Sequence, residues 1–279
     1  MSTTHPPLPT IPGYTLDRWL GGGGMADVFL AIRHETNRPV AVKVLRDPLA
    51  ERDLRRRFEQ EGRLLAKFNH PHIIPVLDAG QSDGRMYFAL RYLPDGPLSE
   101  RLAEVRTSAR RVVELVVKIV AAVTYSHAQG VIHRDLKPSN VMLNGDEPLV
   151  SDFGVAKWAS AAEQTVLGTR LGTAAYMCPE MLEKGSEATG PQADVWSVGV
   201  ILYELLTGRL PFNASTDTSL FELIRMCPDI HLPPGGAVLP GTDDRLLTIL
   251  RTALAVQQAD RYPTAAAFGD DMNDWLAKA

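Results

Sequence analysis

Two hydrophobic periods occur in this chain, and they are segregated. Residues 14–46 carry strand patterning: "DVFLAI" and "PVAVKVL" are rich in β-branched and aromatic residues, and "RHETNR" between them has the composition of a hairpin connection. "RMYFALRYL", residues 85–93, reads as a further strand, and "PDGP" then breaks the chain. Beyond it the pattern is mainly helical. Residues 109–128 predict a long apolar helix that stops at Gly130. Residues 193–207 predict another that stops at Gly208, with Pro211 beyond. "TDDRLLTILRTAL" and "TAAAFGDDMNDWLA" complete a helical C-terminal part. A small strand-rich lobe followed by a larger helical lobe is therefore expected, with the hinge near Leu90 to Pro97.

One helix interrupts the strand-rich part. Over residues 51–68, Leu54, Phe58, Leu65 and Phe68 recur on one helix face. Glu61 falls on that face and Glu59 well off it. An acid on an apolar stripe calls for a cationic partner, although a partly exposed stripe with a solvated Glu61 fits the pattern equally well.

The bulk properties exclude several classes. The chain has 279 residues, 45% hydrophobic and 22% charged, enough for one large domain or two packed lobes. A net charge of −4 implies no broad basic face, so nucleic acid is not an expected partner. The two cysteines, Cys178 and Cys227, have no metal-ligand spacing and fit a reducing cytosol. His70, His72 and His127 show no ligand spacing either and read as ordinary packing or surface residues. The start "MSTTHPPLPTIPGY" lacks the features of a signal peptide, and Pro6, Pro7, Pro9 and Pro12 favour a disordered tail over residues 1–12. The most apolar runs, "VVELVVKIVAAV" and "VWSVGVILYELL", are shorter than the ~20 residues of a membrane helix, so no membrane segment is expected.

The chemistry concentrates in three places. "LGGGGMADVFLA", residues 20–31, sets four glycines before an apolar strand, a pattern open to a phosphate-holding loop or a plain turn. "VIHRDLKPSNVML", residues 131–143, packs His133, Arg134, Asp135, Lys137 and Asn140 into eight residues with apolar flanks, where ionisable groups are costly unless used. "VSDFGVA", residues 150–156, follows a hairpin expected at "NGDEP".

In order and spacing these pieces resemble the protein-kinase signature. With "VAVKVL", the helix bearing Glu61, "GTAAYMCPE", "DVWSVG" and "DRYPTAAAF", the chain resembles bacterial Ser/Thr kinases of the eukaryotic-like (Hanks) type from about Tyr14 to Trp275. The resemblance implies an α+β bilobal protein-kinase fold. The N-lobe, residues 13–93, would be a small antiparallel sheet with one key helix. The C-lobe, residues 94–279, would be larger and mainly helical.

It also implies roles. Leu20, Gly21, Gly22, Gly23, Gly24, Met25, Ala26, Asp27 and Val28 form the stretch that covers ATP. Glycines there let backbone amides approach the phosphates, and Ala26 replaces the third motif glycine. Val28 and Ala41 cover the adenine from above and Met142 from below. Leu90 takes the gatekeeper position, and Arg91 and Leu93 offer backbone groups to the adenine edge. Lys43 contacts the α- and β-phosphates and pairs with Glu61, which is thereby preferred to Glu59. Asn140 and Asp152 are hard oxygen ligands for Mg²⁺, with Mn²⁺ as a substitute ion. Asp135 orients the attacking hydroxyl and accepts its proton, and Lys137 offsets charge on the transferred group.

Lys137 two residues after Asp135, and Thr173 in "GTAAY", imply protein Ser/Thr substrates. Glu180 and Arg261 match a buried ion pair of the family, Asp194 is expected to hold the catalytic-loop backbone, and Val76, Leu65, His133 and Phe153 match its hydrophobic stack. Arg134 beside Asp135 implies gating by phosphorylation, with Thr165 and Thr169 as acceptors and a transient homodimer for reaction in trans. A pseudokinase module is the alternative; the intact set Lys43, Glu61, Asp135, Asn140 and Asp152 speaks against it. The long segment from Asp152 to Glu180 speaks against a small-molecule kinase. The expected location is cytoplasmic, alone or as the catalytic part of a membrane-anchored protein.

Overall fold

The computed structural model describes residues 6–22, 26–46, 62, 65–153, 174–184, 189–211 and 238–279. The chain divides into two compact units, Met1–Asn69 with Ile73–Pro94, and His70–His72 with Asp95–Ala279.

The first unit is built on a five-stranded antiparallel sheet of order β1-β2-β3-β5-β4. Its strands are β1 (Tyr14–Gly22), β2 (Ala26–Arg33), β3 (Arg38–Leu45), β4 (Val76–Ser82) and β5 (Arg85–Arg91). Successive side chains on a strand face opposite ways, so the register sorts them. Phe29, Ala31, Val40, Val42, Val44, Tyr87 and Ala89 form an apolar cluster on one face, with Leu16 and Trp19 packed against it. The other face carries Val28 paired with Lys43, Ala41 paired with Leu90, and Lys43 paired with Phe88.

Two features differ from the pattern-based reading. β4 has no apolar alternation; it is an edge strand with an irregularity between Val76 and Asp78 and needs only one partner, β5. The proline-rich start is not a free tail up to residue 12. Ile11 is buried in the apolar cluster, and the Thr10 carbonyl accepts from Ser82 Oγ at 2.7 Å. One apolar side chain between prolines is enough to anchor it. Of the helix expected over 51–68, Gly62 and 65–68 are described. Ala66 N donates to Gly62 O at 2.9 Å, as in a helix. A Cβ on Gly62 would lie 3.0 Å from the Phe88 ring, so glycine permits the close approach to the sheet.

The second unit contains α1 (Leu102–Val105), α2 (Ala109–Ala128), the hairpin β6 (Val141–Asn144) and β7 (Glu147–Val150), then α3 (Pro179–Lys184), α4 (Gln192–Thr207), α5 (Asp244–Ala253) and α6 (Ala265–Leu276). Side-chain oxygens cap three helices: Ser108 accepts from Arg111 N, Asp243 from Leu246 N and Thr264 from Ala267 N. Gly208 ends α4 with φ 77°, a conformation that costs other residues strain. The core forms where α2 packs on α4 and α6 and α5 packs on α4 and α6. Trp196, Tyr203 and Phe268 are among its largest fully buried side chains. None of the described helices is long and apolar enough to cross a membrane.

Candidate active site

Past α2 the chain turns at Gly130 (φ 75°), runs without regular structure to Lys137, makes one 3-10 turn over Pro138–Asn140 and enters β6. Leu136, Val141 and Leu143 are buried and root this loop in the core. Its polar residues are held from α4. Asp194, fully buried in the first turn of that helix, accepts from His133 N through Oδ2 and from Arg134 N through Oδ1, both at 2.8 Å. Asp194 thus stands where the sequence resemblance put it. His127, expected to be a packing or surface residue, packs here with its Nε2 2.7 Å from Asp194 Oδ2.

Arg134 has φ 65°, unfavourable for a residue with a long side chain. Such strain costs on the order of 1–3 kcal/mol and persists only where neighbours fix it, as the Asp194 bond does here.

His133 ties the loop to the segment after β7. Asp135 N donates to His133 Nδ1 at 3.2 Å, so Nδ1 is the acceptor and Nε2–H donates to Ser151 O at 2.7 Å. Ser151 N and Oγ both donate to Asn140 O, at 2.8 and 3.0 Å. The His133 and Phe153 rings pack with centroids 4.8 Å apart. Asp152 is flanked by two fixed residues and adopts φ 64°.

These restraints assemble a polar centre. Lys137 Nζ lies 3.0 Å from each Asp135 carboxylate oxygen. Asn140 Nδ2 donates to Asp135 O at 2.7 Å and to its Oδ2 at 3.0 Å. With Nδ2 so committed, Oδ1 is the atom Asn140 has for a cation. Asn140 Oδ1 and the Asp152 carboxylate are hard oxygen donors, a set that suits a Mg²⁺ also held by phosphate oxygens.

The Glu180–Arg261 ion pair is present and bidentate. Arg261 Nη1 meets Glu180 Oε1 at 2.7 Å and Nη2 meets Oε2 at 3.2 Å; Gln258 adds a bond at 2.8 Å. Arg261 also lies 5.0 Å over the Trp196 ring. Burial pushes the Glu180 carboxyl up, but the bonds from Arg261 and Gln258 prevail and hold it at about 2.

In the first unit, register places Val28, Ala41, Lys43 and Leu90 on one sheet face. Gly21 pairs with Val28 and Gly22 with Asp27. Asp27 pairs with Val44 and so belongs to the opposite face, so what it presents on the Val28 side is backbone. Leu93 is buried, and the Arg91 N–H already donates to Pro75 O at 3.4 Å. Of the other expected residues, Leu20 lies within β1 just before Gly21 and Gly22, Ala26 opens β2, and Met142 lies on β6 opposite Leu149. Gly23, Gly24, Met25, Glu61, Thr165, Thr169 and Thr173 lie outside the described residues. Sequence reasoning missed the contact of His127 with Asp194 and the anchoring of Asp27 to Arg46. Neither leaves a periodic signal.

The family model of the protein kinase domain matches residues 14–270. The chain belongs to the protein kinase family. It is similar to Serine/threonine-protein kinase PknJ of Mycobacterium tuberculosis, 34% identical over 264 residues, covering 92% of this chain and 44% of PknJ. Pkn1 of Myxococcus xanthus is 36% identical over 273 residues, covering 95% of this chain and 38% of Pkn1. Among solved structures, the PknI kinase domain of Mycobacterium tuberculosis matches with a TM-score of 0.68 and 28% identity, covering 96% of this chain and 97% of that one. The fold is the bilobal protein-kinase fold, and the chain is a bacterial Hanks-type domain of the Ser/Thr class. It spans less than half the length of these curated kinases.

Proposed function

We propose that this domain transfers the γ-phosphoryl group of ATP to Ser and Thr hydroxyls of protein substrates. The observation that carries the reading is the Asp135–Lys137–Asn140 centre, whose polar atoms lie 3.0 Å or less apart in a loop held by Asp194 of α4 and by Ser151 just past β7. A substrate hydroxyl hydrogen-bonded to Asp135 is oriented for in-line attack and gives up its proton to that carboxylate. The new P–O bond forms as the bond to the β-phosphate oxygen breaks, and ADP leaves. Lys137 then has an anion to answer on the transferred group. In this reading Lys43 takes the α- and β-phosphates with Glu61 as the acid assigned to it, and Thr173 is the residue assigned to act with Asp135 and Lys137. Mg²⁺, or Mn²⁺ in its place, bound by Asn140 and Asp152 supplies charge neutralisation of the phosphates.

Regulation follows from Arg134. Its Nε is buried and has no partner among the described residues, and Nη2 makes a long 3.4 Å contact with Thr189 O. A phosphate on Thr165 or Thr169 adds roughly −1.5 to −2 charge and supplies the missing acceptor. Autophosphorylation in trans, through a transient homodimer, would therefore switch the domain on. The setting is the cytosol, alone or as part of a membrane-anchored protein.

The test is incubation of the purified domain with labelled ATP, Mg²⁺ and a generic protein substrate, with phosphosite mapping. Label on Ser or Thr supports the reading. Asp135→Asn should keep nucleotide binding and lose transfer at least about a hundredfold. Transfer at the wild-type rate by that variant overturns the role of Asp135.

A further inference from the structure

Gly21, Gly22, Gly23 and Gly24 form a run with no side chains to hold a backbone in place, and glycine loses more conformational freedom on ordering than any other residue. The described part of that region shows what holds its root. Arg46, one residue past β3, donates from Nε to Asp27 Oδ2 at 2.9 Å and from Nη2 to Oδ1 at 2.8 Å, a bidentate fork. Trp19 Nε1, on β1, donates to the same Oδ1 at 3.2 Å. Asp27 itself is only 8% exposed. The hydrogen bonds from Arg46 outweigh burial and keep its carboxyl below the usual carboxylate range. Residues belonging to or adjoining three strands thus meet at one carboxylate. The carboxylate lies on the face that carries Val44, opposite Val28 and Lys43.

Gly22 completes the arrangement. A Cβ there would lie 2.3 Å from Asp27 Oδ1 and 3.0 Å from Arg46 Nη2. The carboxylate therefore occupies the space a side chain would need, so a side chain at 22 would have to displace it from its bonds.

We propose that Asp27, clamped by Arg46 and Trp19 and seated against Gly22, is a positioning residue that fixes the β1–β2 end over which ATP is bound. It acts from the far side of the sheet and through the backbone: it sets the Gly22–Asp27 and Gly21–Val28 pairings and so where the amides and the Val28 side chain stand. The clamp removes freedom before ATP arrives, so losing it should weaken ATP binding more than the chemical step. The proposal rests on the kinase reading above.

The test measures rates against ATP and, separately, against protein substrate, for wild type, Asp27→Asn, Arg46→Gln and the double variant. Binding of a fluorescent ATP analogue and the Tm are measured alongside. Each single variant should raise KM for ATP and the analogue Kd at least about fivefold, the scale of one lost charge-assisted bond. The substrate KM should hold and kcat change less than twofold. The double variant should be no worse than the singles. Gly22→Ala should be costly in the wild type and much less so in an Asp27→Ala background, where the carboxylate is gone. KM for ATP within twofold of wild type in Asp27→Asn overturns the proposal. So does a joint rise of both KM values with a lowered Tm, which marks general loosening, and so does an equal cost of Gly22→Ala in both backgrounds. If the wild type transfers no phosphate, the kinase reading fails; the analogue Kd still decides the clamp, and equal values in wild type and Asp27→Asn refute it.

Discussion

Glu180→Gln is the sharpest probe of how the second unit is held together. The change keeps the shape and removes the charge. Holding the Glu180 carboxyl at about 2, against an ordinary value of 4.5, corresponds to about 3 kcal/mol at ~1.36 kcal/mol per pH unit. A second contribution comes from the partner, because the Arg261 side chain has no exposed surface. Breaking a buried pair by removing one member typically costs about 3–5 kcal/mol. Arg261 keeps the carbonyls of Ala255 and Gln192 and the face of Trp196, which places the expected loss at the lower end, about 3 kcal/mol. Against a typical total of ~5–15 kcal/mol for a domain, that is a large loss. Glu180 is the depressed-acid case. Its contribution is complete above pH ~4.5 and disappears as the pH falls toward 2, with about 1 kcal/mol gone by pH 4. Urea unfolding at pH 7 and at pH 4 measures both quantities. Wild type should lose this increment between the two pH values and Glu180→Gln should not, and Arg261→Met should be non-additive with it. A cost below about 1 kcal/mol at pH 7, or equal pH dependence in the two proteins, would refute the reasoning.

Asp194→Asn should slow phosphoryl transfer and lower stability by ~2–3 kcal/mol, because one amide oxygen cannot replace two charged acceptors for His133 N and Arg134 N; unchanged activity and urea midpoint count against it. Lys43→Met should abolish transfer, and Glu61→Gln should lower it at least about tenfold while Glu59→Gln leaves it intact; the reverse order of the two glutamates would identify the wrong acid as partner. The Thr165→Ala/Thr169→Ala double variant should keep a low rate with no rise during preincubation with ATP, read by intact mass and phosphopeptide mapping against time; wild-type rate and lag in that variant would exclude the loop as the switch.

The sequence by itself determined whatever local pattern encodes. The helices Ala109–Ala128 and Gln192–Thr207, the second expected from residue 193, follow from apolar periodicity and the stop signals at Gly130 and Gly208. The strands holding Val28, Ala41 and Lys43 follow from β-branched alternation, and the order of the Asp135, Asn140 and Asp152 segments marked the family. Tertiary structure decided the rest. β4 forms because β5 offers it a partner, not because its own residues alternate. Ile11 anchors a proline-rich segment because an apolar cluster lies within its reach. His127 and Asp194 are 67 residues apart in sequence and meet only where α2 and α4 pack. Asp27 belongs to the glycine stretch that the resemblance reads as an ATP cover, yet its side chain lies on the face that carries Val44, since the pairing register, not the motif, decides which way a strand residue points. Periodicity records which face of an element is buried. It does not record which distant residue that face will meet, and that meeting sets the strain at Arg134, the charge on Glu180 and the room left at Gly22.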